Sequence, residues 1–475
     1  MNILYLTSEA VPFLSTGGLG DVLGSLPQAV ALGNDRYKTS VIMPLHRKVK
    51  ENFLKYMSKT IDISFKLSWR DTGASFYNCI YKGVNYIFVE NEYYFNRENV
   101  YGEYDDAERY AFFSKAVLEY IKSSKIKYEI IHANDWQTAL SIIYLKNAKI
   151  AGEIEEDIKT VFTIHNIEHQ GKFDPVILGD VLGLDNSSLP LLYHEGCLNF
   201  MKGGILSADK IVTVSPTYKS EICYDYFAHG LGDVVRSRAE NTVGILNGID
   251  YSVFSLNTDP DIDFRFHKRI VRYGKEKNKE AFCKQMGLLY QKERPLIVMI
   301  TRLTEQKGID LLIHILDELL SLNLNFVILG TGEEKYEQFL LDKSKNYDNF
   351  KVFLKFDRAL SKKMYASADI FLMPSKTEPC GIAQMIACSY GAVPIVRNTG
   401  GLSDTIIPYG ESNSNGFRFD NYNAHELLFT IKKACEIYKD EVKWHTLRKN
   451  CVNKDFSWDR SAEEYRAVYE NIVSR

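Results

Sequence analysis

Short runs of β-branched and apolar residues recur along the chain, each followed by a stretch with helical spacing. A first series reads "NILYLT", "KTSVIMP", "NYIFVE", "YEIIHA", "KTVFTIH", "KIVTVS" and "VGILN". A polar stretch over residues 257–279, rich in Asp, Arg and Lys, interrupts the pattern. A second series follows: "PLIVMIT", "NFVILG", "KVFLKF", "DIFLMPS" and "VPIVR". Between runs the apolar period lengthens, as where Leu312, Ile315, Leu316 and Leu319 fall at i, i+3, i+4 and i+7. Unbroken apolar strands alternating with helices predict parallel sheets covered on both faces. Two series predict two doubly wound, Rossmann-like α/β domains. Ligands of such sheets sit beyond the carboxyl ends of the strands, so the expected site is a cleft between two facing domains.

Composition narrows the picture by exclusion. Lys plus Arg is 58 and Asp plus Glu is 61, a net charge of −3. That balance offers no general positive field for nucleic acid or an anionic membrane, although a local phosphate pocket stays compatible with it. The amino terminus lacks the basic region of a secretory signal, and Glu9 interrupts its apolar run. No apolar stretch approaches the roughly 20 residues of a spanning helix. The 8 cysteines are scattered without a C-x-x-C pair. Reduced thiols and a cytoplasmic location are therefore expected, not a disulfide frame or a zinc site.

Candidate chemistry gathers at strand ends. After the first strand comes "STGGLGDV", with Ser15 ahead of Gly17 and Gly18. Glycine there permits positive φ and close approach of a ligand, and the helix that follows offers free N–H groups to a phosphate. A tight strand–helix turn would use the same residues. "TGGLSD" repeats the motif in the second half, with Thr399 and Gly400. "TRLTEQKGID" puts Arg302 and Lys307 where two cations can neutralise a diphosphate; the alternative is two solvated surface charges. In "PSKTEPCGIAQ", Glu378 precedes a proline, and a helix begins near Gly381. Its opening amides, Gly381 to Gln384, are candidates for an anion, and Glu378 for sugar hydroxyls. Asp135 in "HANDWQTAL" and His165 in "TIHNIEHQG" also stand at strand ends, and Asn247 lies in "LNGID".

Together with "SEAVPF", "YGEYDDAERYAFF", "NFMKGGI", "ADKIVTVSPTY" and the terminal "FSWDRSAEEY", these motifs run nearly end to end in one order. The chain resembles bacterial glycogen synthases and plant starch synthases, glycosyltransferases of GT-B architecture. The resemblance implies transfer of glucose from ADP-glucose to the non-reducing end of an α-1,4-glucan with retention of configuration. It implies an acceptor domain over residues 1–245, a nucleotide-sugar domain over 246–455, and a final helix over 456–475 that crosses back. Arg302 and Lys307 would pair with the donor diphosphate, and Glu378 would bind glucose hydroxyls near the reacting carbon. His165, Asp135 and Asn247 would line the sugar pocket, and Phe356 would stack on adenine. Cys380, Gly381, Ala383, Gln384, Thr399 and Gly400, with the Ser15, Gly17 and Gly18 loop, would complete the substrate contacts. No cofactor or metal is implied.

Three positions depart from the family pattern, one of them Ala383, which stands where a hydroxyl or other side chain often sits. Ser15 stands where lysine is usual, and Asn134 where a second histidine is common. A cation about 4 Å from a unit negative charge is worth up to about 4 kcal/mol at an effective dielectric near 20. If half of that acts only in the transition state, its loss slows the reaction about 30-fold. The alternatives left open are a weakly active or inactive glucan-binding paralogue with a priming or regulatory role, and a synthase that uses UDP-glucose.

Overall fold

The computed structural model describes residues 1–474 and divides into two compact units. The first comprises Met1–Gly248 and the chain from Trp458 onward; the second is Ile249–Ser457.

In the first unit the strands are β1 (Asn2–Leu6), β2 (Lys38–Pro44), β3 (Ser58–Leu67), β4 (Arg70–Tyr81), β5 (Val84–Glu90), β6 (Ile130–Asn134) and β7 (Lys159–Ile164). Three short strands follow, β8 (Lys172–Phe173), β9 (Tyr193–His194) and β10 (Cys197–Asn199), and then β11 (Lys210–Thr213) and β12 (Thr242–Gly244). Nine strands form one sheet in the order β12-β11-β7-β6-β1-β2-β5-β4-β3. It is parallel from β12 to β5, and β4 and β3 extend it antiparallel. Strand order reverses beside β1, so the loops leaving β1 and β6 flank the crevice where ligands of such sheets bind. The last helix, Trp458–Val473, lays Trp458, Ala462, Tyr465 and Tyr469 into this unit's core beside Ile3, Tyr5 and Val30. Its Arg466 donates to the carbonyls of Ala29 and Val30, at the end of helix Gly18–Ala31.

The second unit holds a six-stranded parallel sheet of β13 (Leu296–Ile300), β14 (Asn325–Leu329), β15 (Phe350–Phe353), β16 (Ile370–Met373), β17 (Val393–Arg397) and β18 (Phe417–Phe419). The order is β15-β14-β13-β16-β17-β18, with the reversal between β13 and β16. Helix Ile309–Leu320 buries Leu312, Ile315, Leu316 and Leu319, the face its spacing predicts.

The strand series thus reappears as two doubly wound α/β units. The pattern missed the β3–β4 hairpin, the small sheet β8-β10-β9, and β18. The hairpin alternates but is largely exposed, so β3 never becomes an unbroken apolar run. The others have two or three residues, too few to show a period.

Candidate functional site

In the second unit the candidate residues stand on loops leaving the carboxyl ends of four strands. The loop after β13 carries Arg302 and then a single 3-10 turn, Glu305–Lys307. The loop after β16 carries Glu378. These two strands flank the reversal of strand order, and an ion pair spans it: Lys307 Nζ lies 2.6 Å from Glu378 Oε2. Ser375 Oγ donates to the same carboxylate oxygen at 2.9 Å. Glu378 is buried and Lys307 half-buried, so the pair keeps more of its Coulomb attraction than a surface pair would. Arg302 is exposed, and its guanidinium has no hydrogen bond or ion pair among the described residues. Phe356, after β15, is 95% exposed and has no ring or cation partner among the described residues. Arg302 and Phe356 thus leave a cation and an aromatic face open to a ligand.

Glycines hold the Glu378 loop in place. A Cβ at Gly308 would meet the Pro374 carbonyl oxygen at 2.3 Å, which joins the Lys307 loop to the β16 loop. Gly400, at φ +45°, lies against the Glu378 main chain, and Gly401 N donates to the Glu378 and Pro379 carbonyls at 3.2 Å each. The second glycine motif thus presses backbone on backbone against the loop that carries Glu378. Thr399 precedes helix Gly400–Thr405. Cys380 is buried beside this contact; a Cβ on Gly401 would meet its carbonyl oxygen. Gly381, at φ +73°, cannot begin a helix, which instead runs Ala383–Ser389. Gln384 Nε2 donates to the carbonyls of Cys380 and Gly381 and to Thr405 Oγ1. Its Oε1 is buried without a partner.

In the first unit the loops leaving β1, β6 and β7 carry a second group. Asp135 sits between β6 and helix Trp136–Ile150 at φ +57°, a strained conformation for a residue with a side chain. Its carboxylate accepts from His165 N at 2.8 Å. His165 Nε2 and Asn134 Oδ1 are 2.9 Å apart, while His165 Nδ1 is buried without a partner. Burial pushes the His165 ring down to about 3, so it is neutral near pH 7. Burial, with the nearby Glu9 charge, pushes Asp135 up to about 7. Asn247, beyond β12, is buried with Oδ1 unpartnered.

The loop after β1 corrects one expectation. Gly17 is extended at φ −170°, and neither Gly17, Gly18 nor Gly20 has positive φ. Gly20 is needed for packing, because a Cβ there would meet Ser15 Cβ at 2.8 Å. Nothing lies within 4 Å of a Cβ built on Gly17, so that position is simply open. Ser15 Oγ donates to the Gly17 carbonyl at 3.1 Å, which ties the hydroxyl to its own loop.

Comparison with known proteins places this arrangement. The starch synthase catalytic domain pattern matches residues 2–237, and the glycosyl transferases group 1 pattern matches residues 286–451. The chain is 43% identical to the glycogen synthase of Desulfitobacterium hafniense, covering 99% of both chains. It is 42% identical to the glycogen synthase of Bacillus subtilis, over 100% of this chain and 98% of that one. The chain belongs to the glycogen and starch synthase family. The catalytic domain of Arabidopsis thaliana starch synthase IV, solved bound to ADP and acarbose, matches with a TM-score of 0.90 and 32% identity, covering 100% of this chain and 99% of that one. A sucrose-phosphate synthase from Thermosynechococcus elongatus matches with a TM-score of 0.64 at 16% identity, a likeness of fold alone. This chain is a glucan-elongating glycosyltransferase of the GT-B fold class.

Sequence reasoning passed over one residue of this synthase that the structure puts at the site. Glu9 is buried, and its carboxylate accepts from Thr16 N at 2.5 Å, pinning the glycine loop to the end of β1. Burial pushes it up to about 7. The signal was an acidic residue closing an apolar strand, read only as an interruption. "YGEYDDAERYAFF" also has a physical role. Arg109, fully buried, donates to the carbonyls of Tyr94, Asn99 and Val100 and pairs with Asp106. That clamp holds the loop whose Tyr101 hydroxyl bonds Ser8 Oγ at 2.7 Å.

Proposed function

We propose that this protein transfers glucose from ADP-glucose to the non-reducing end of an α-1,4-glucan, retaining the α configuration. The observation that carries the donor assignment is the Lys307–Glu378 pair at the strand-order reversal, with unpaired Arg302 on the Lys307 loop and bare Phe356 after β15 of the same sheet. Arg302 and Lys307 take the diphosphate, and Phe356 stacks on adenine. Glu378 holds glucose hydroxyls, beside the backbone of Cys380, Gly381, Ala383, Thr399 and Gly400. In the first unit the free acceptors Asn247 Oδ1 and His165 Nδ1, and in the second unit Gln384 Oε1, each suit a sugar hydroxyl, which is a donor. The first unit receives the glucan.

In the reaction the bond from the anomeric carbon to the phosphate oxygen breaks, and a bond to the acceptor's hydroxyl oxygen forms on the same face. The acceptor proton passes to the departing phosphate oxygen, so the products are the lengthened glucan and ADP. Negative charge grows on the diphosphate as the bond breaks. Arg302, unpaired, and Lys307, held beside Glu378, supply the positive charge that stabilises it. A cytoplasmic location is part of this reading, supported by cysteines that stand free among the described residues.

Ser15 favours a second reading, a nearly inactive glucan-binding relative, because an uncharged hydroxyl tied to its own loop supplies no cation. One assay separates the readings: purified protein, glycogen, and radiolabelled ADP-glucose or UDP-glucose. Label entering glycogen from ADP-glucose supports the proposal. Label from UDP-glucose alone reassigns the donor, and none from either, with glycogen still bound, supports the second reading.

A further inference from the structure

We propose that Asn134 is a positioning residue: it fixes His165 as the Nε2–H tautomer and so presents Nδ1 as a bare acceptor for a sugar hydroxyl. The inference rests on the sugar-transfer reading above for its ligand, but not for its tautomer. Asn134 Nδ2 lies 3.0 Å from the Leu6 carbonyl oxygen and 3.2 Å from that of His132. Carbonyl oxygens only accept, so the amide nitrogen must face them. The amide oxygen then faces His165 Nε2 at 2.9 Å. An amide oxygen also only accepts, so Nε2 carries the proton.

A neutral imidazole has one proton, which leaves Nδ1 as an unprotonated acceptor. His165 is buried, and its Nδ1 meets no partner among the described residues. The rest of the neighbourhood holds this state. Asn134 N donates to Thr138 Oγ1 at 2.7 Å, and His165 N donates to Asp135 Oδ1 at 2.8 Å, so both residues are fixed through their main chains. His165 therefore serves as an acceptor that orients a hydroxyl, not as a proton donor. Histidine at position 134 could donate or accept, and it would leave the His165 tautomer undetermined.

The test is nitrogen NMR on full-length protein labelled with 15N-histidine near pH 7, the His165 signals being assigned by their loss in His165→Asn. Two-bond couplings tell which ring nitrogen bears the proton. The expected result is Nε2 protonated in the wild type, and Nδ1 protonated or a mixture in Asn134→Leu. A wild-type ring protonated at Nδ1, or at both nitrogens, would overturn the inference. In parallel, Asn134→Leu is expected to lower kcat/KM for ADP-glucose about 10-fold, the size of one hydrogen bond, while calorimetric affinity for ADP alone stays unchanged. Unchanged kcat/KM would also overturn it. Should the wild type transfer no glucose, the tautomer still reads out, so the two failures are distinguishable.

Discussion

Adding one methyl group at Gly400 should displace Glu378. A Cβ there would meet the Glu378 carbonyl oxygen at 1.9 Å, and ordinary contact begins at 3.4 Å, so one backbone must retreat by about 1.5 Å. The φ of +45° adds about 1–2 kcal/mol of strain for alanine. Displacing a catalytic group by about 1 Å can cost about 100-fold in rate. Gly400→Ala should therefore lower kcat/KM for ADP-glucose about 100-fold and stability by roughly 1–3 kcal/mol. Gly287→Ala is the control. Gly287 has φ +65° but nothing within 4 Å of its Cβ, so the variant meets strain without a clash. It should lose about 1 kcal/mol of stability and keep its turnover. Calorimetry on both proteins separates folding from catalysis, and a glycogen-elongation assay gives kcat/KM. A Gly400→Ala enzyme within about 3-fold of wild type would refute the claim that this contact positions Glu378.

Three further results are expected. Phe356→Ala should raise KM for ADP-glucose roughly 10-fold with little change in kcat, because a stacking platform worth about 1–3 kcal/mol per base is lost; steady-state kinetics reads the split. Glu9 sets a stability gradient with pH. Its folded value of about 7 stands above the ordinary 4.5, so the folded state binds more protons between those values, and stability falls as pH rises through that window. Relative to Glu9→Gln, the wild type should lose up to about 3 kcal/mol from pH 5 to 8, measured by denaturant melts; a parallel pair of curves would contradict the assignment. Ser15→Lys should speed transfer by up to about 30-fold, and unchanged turnover would count against a role for charge at that loop.

How much of this was legible in the sequence depends on what each residue does. The parallel strands were legible because burial on both faces writes an unbroken apolar run. The β3–β4 hairpin was not, since its exposed strand leaves too few apolar positions. Arg302, Lys307 and Glu378 could be named from their places after strand runs. The Lys307–Glu378 pairing could not, because residues 71 apart in sequence meet only once the sheet order is known. Gly400 was read as a possible ligand contact, and the structure gives it a packing duty against Glu378. Asn134 was visible only as a departure from the family pattern and Glu9 only as a break in an apolar run, because hydrogen bonds to main-chain groups, to the Leu6 carbonyl and from Thr16 N, leave no periodic pattern.

The central claim is that two cations at the ends of the second unit's strands draw off the charge of a departing diphosphate. The most direct measurement is label transfer from ADP-glucose to glycogen by Arg302→Ala/Lys307→Ala, with calorimetry to verify its fold. The account predicts a rate at least about 1000-fold below wild type. Elongation at the wild-type rate by the folded double variant would contradict it.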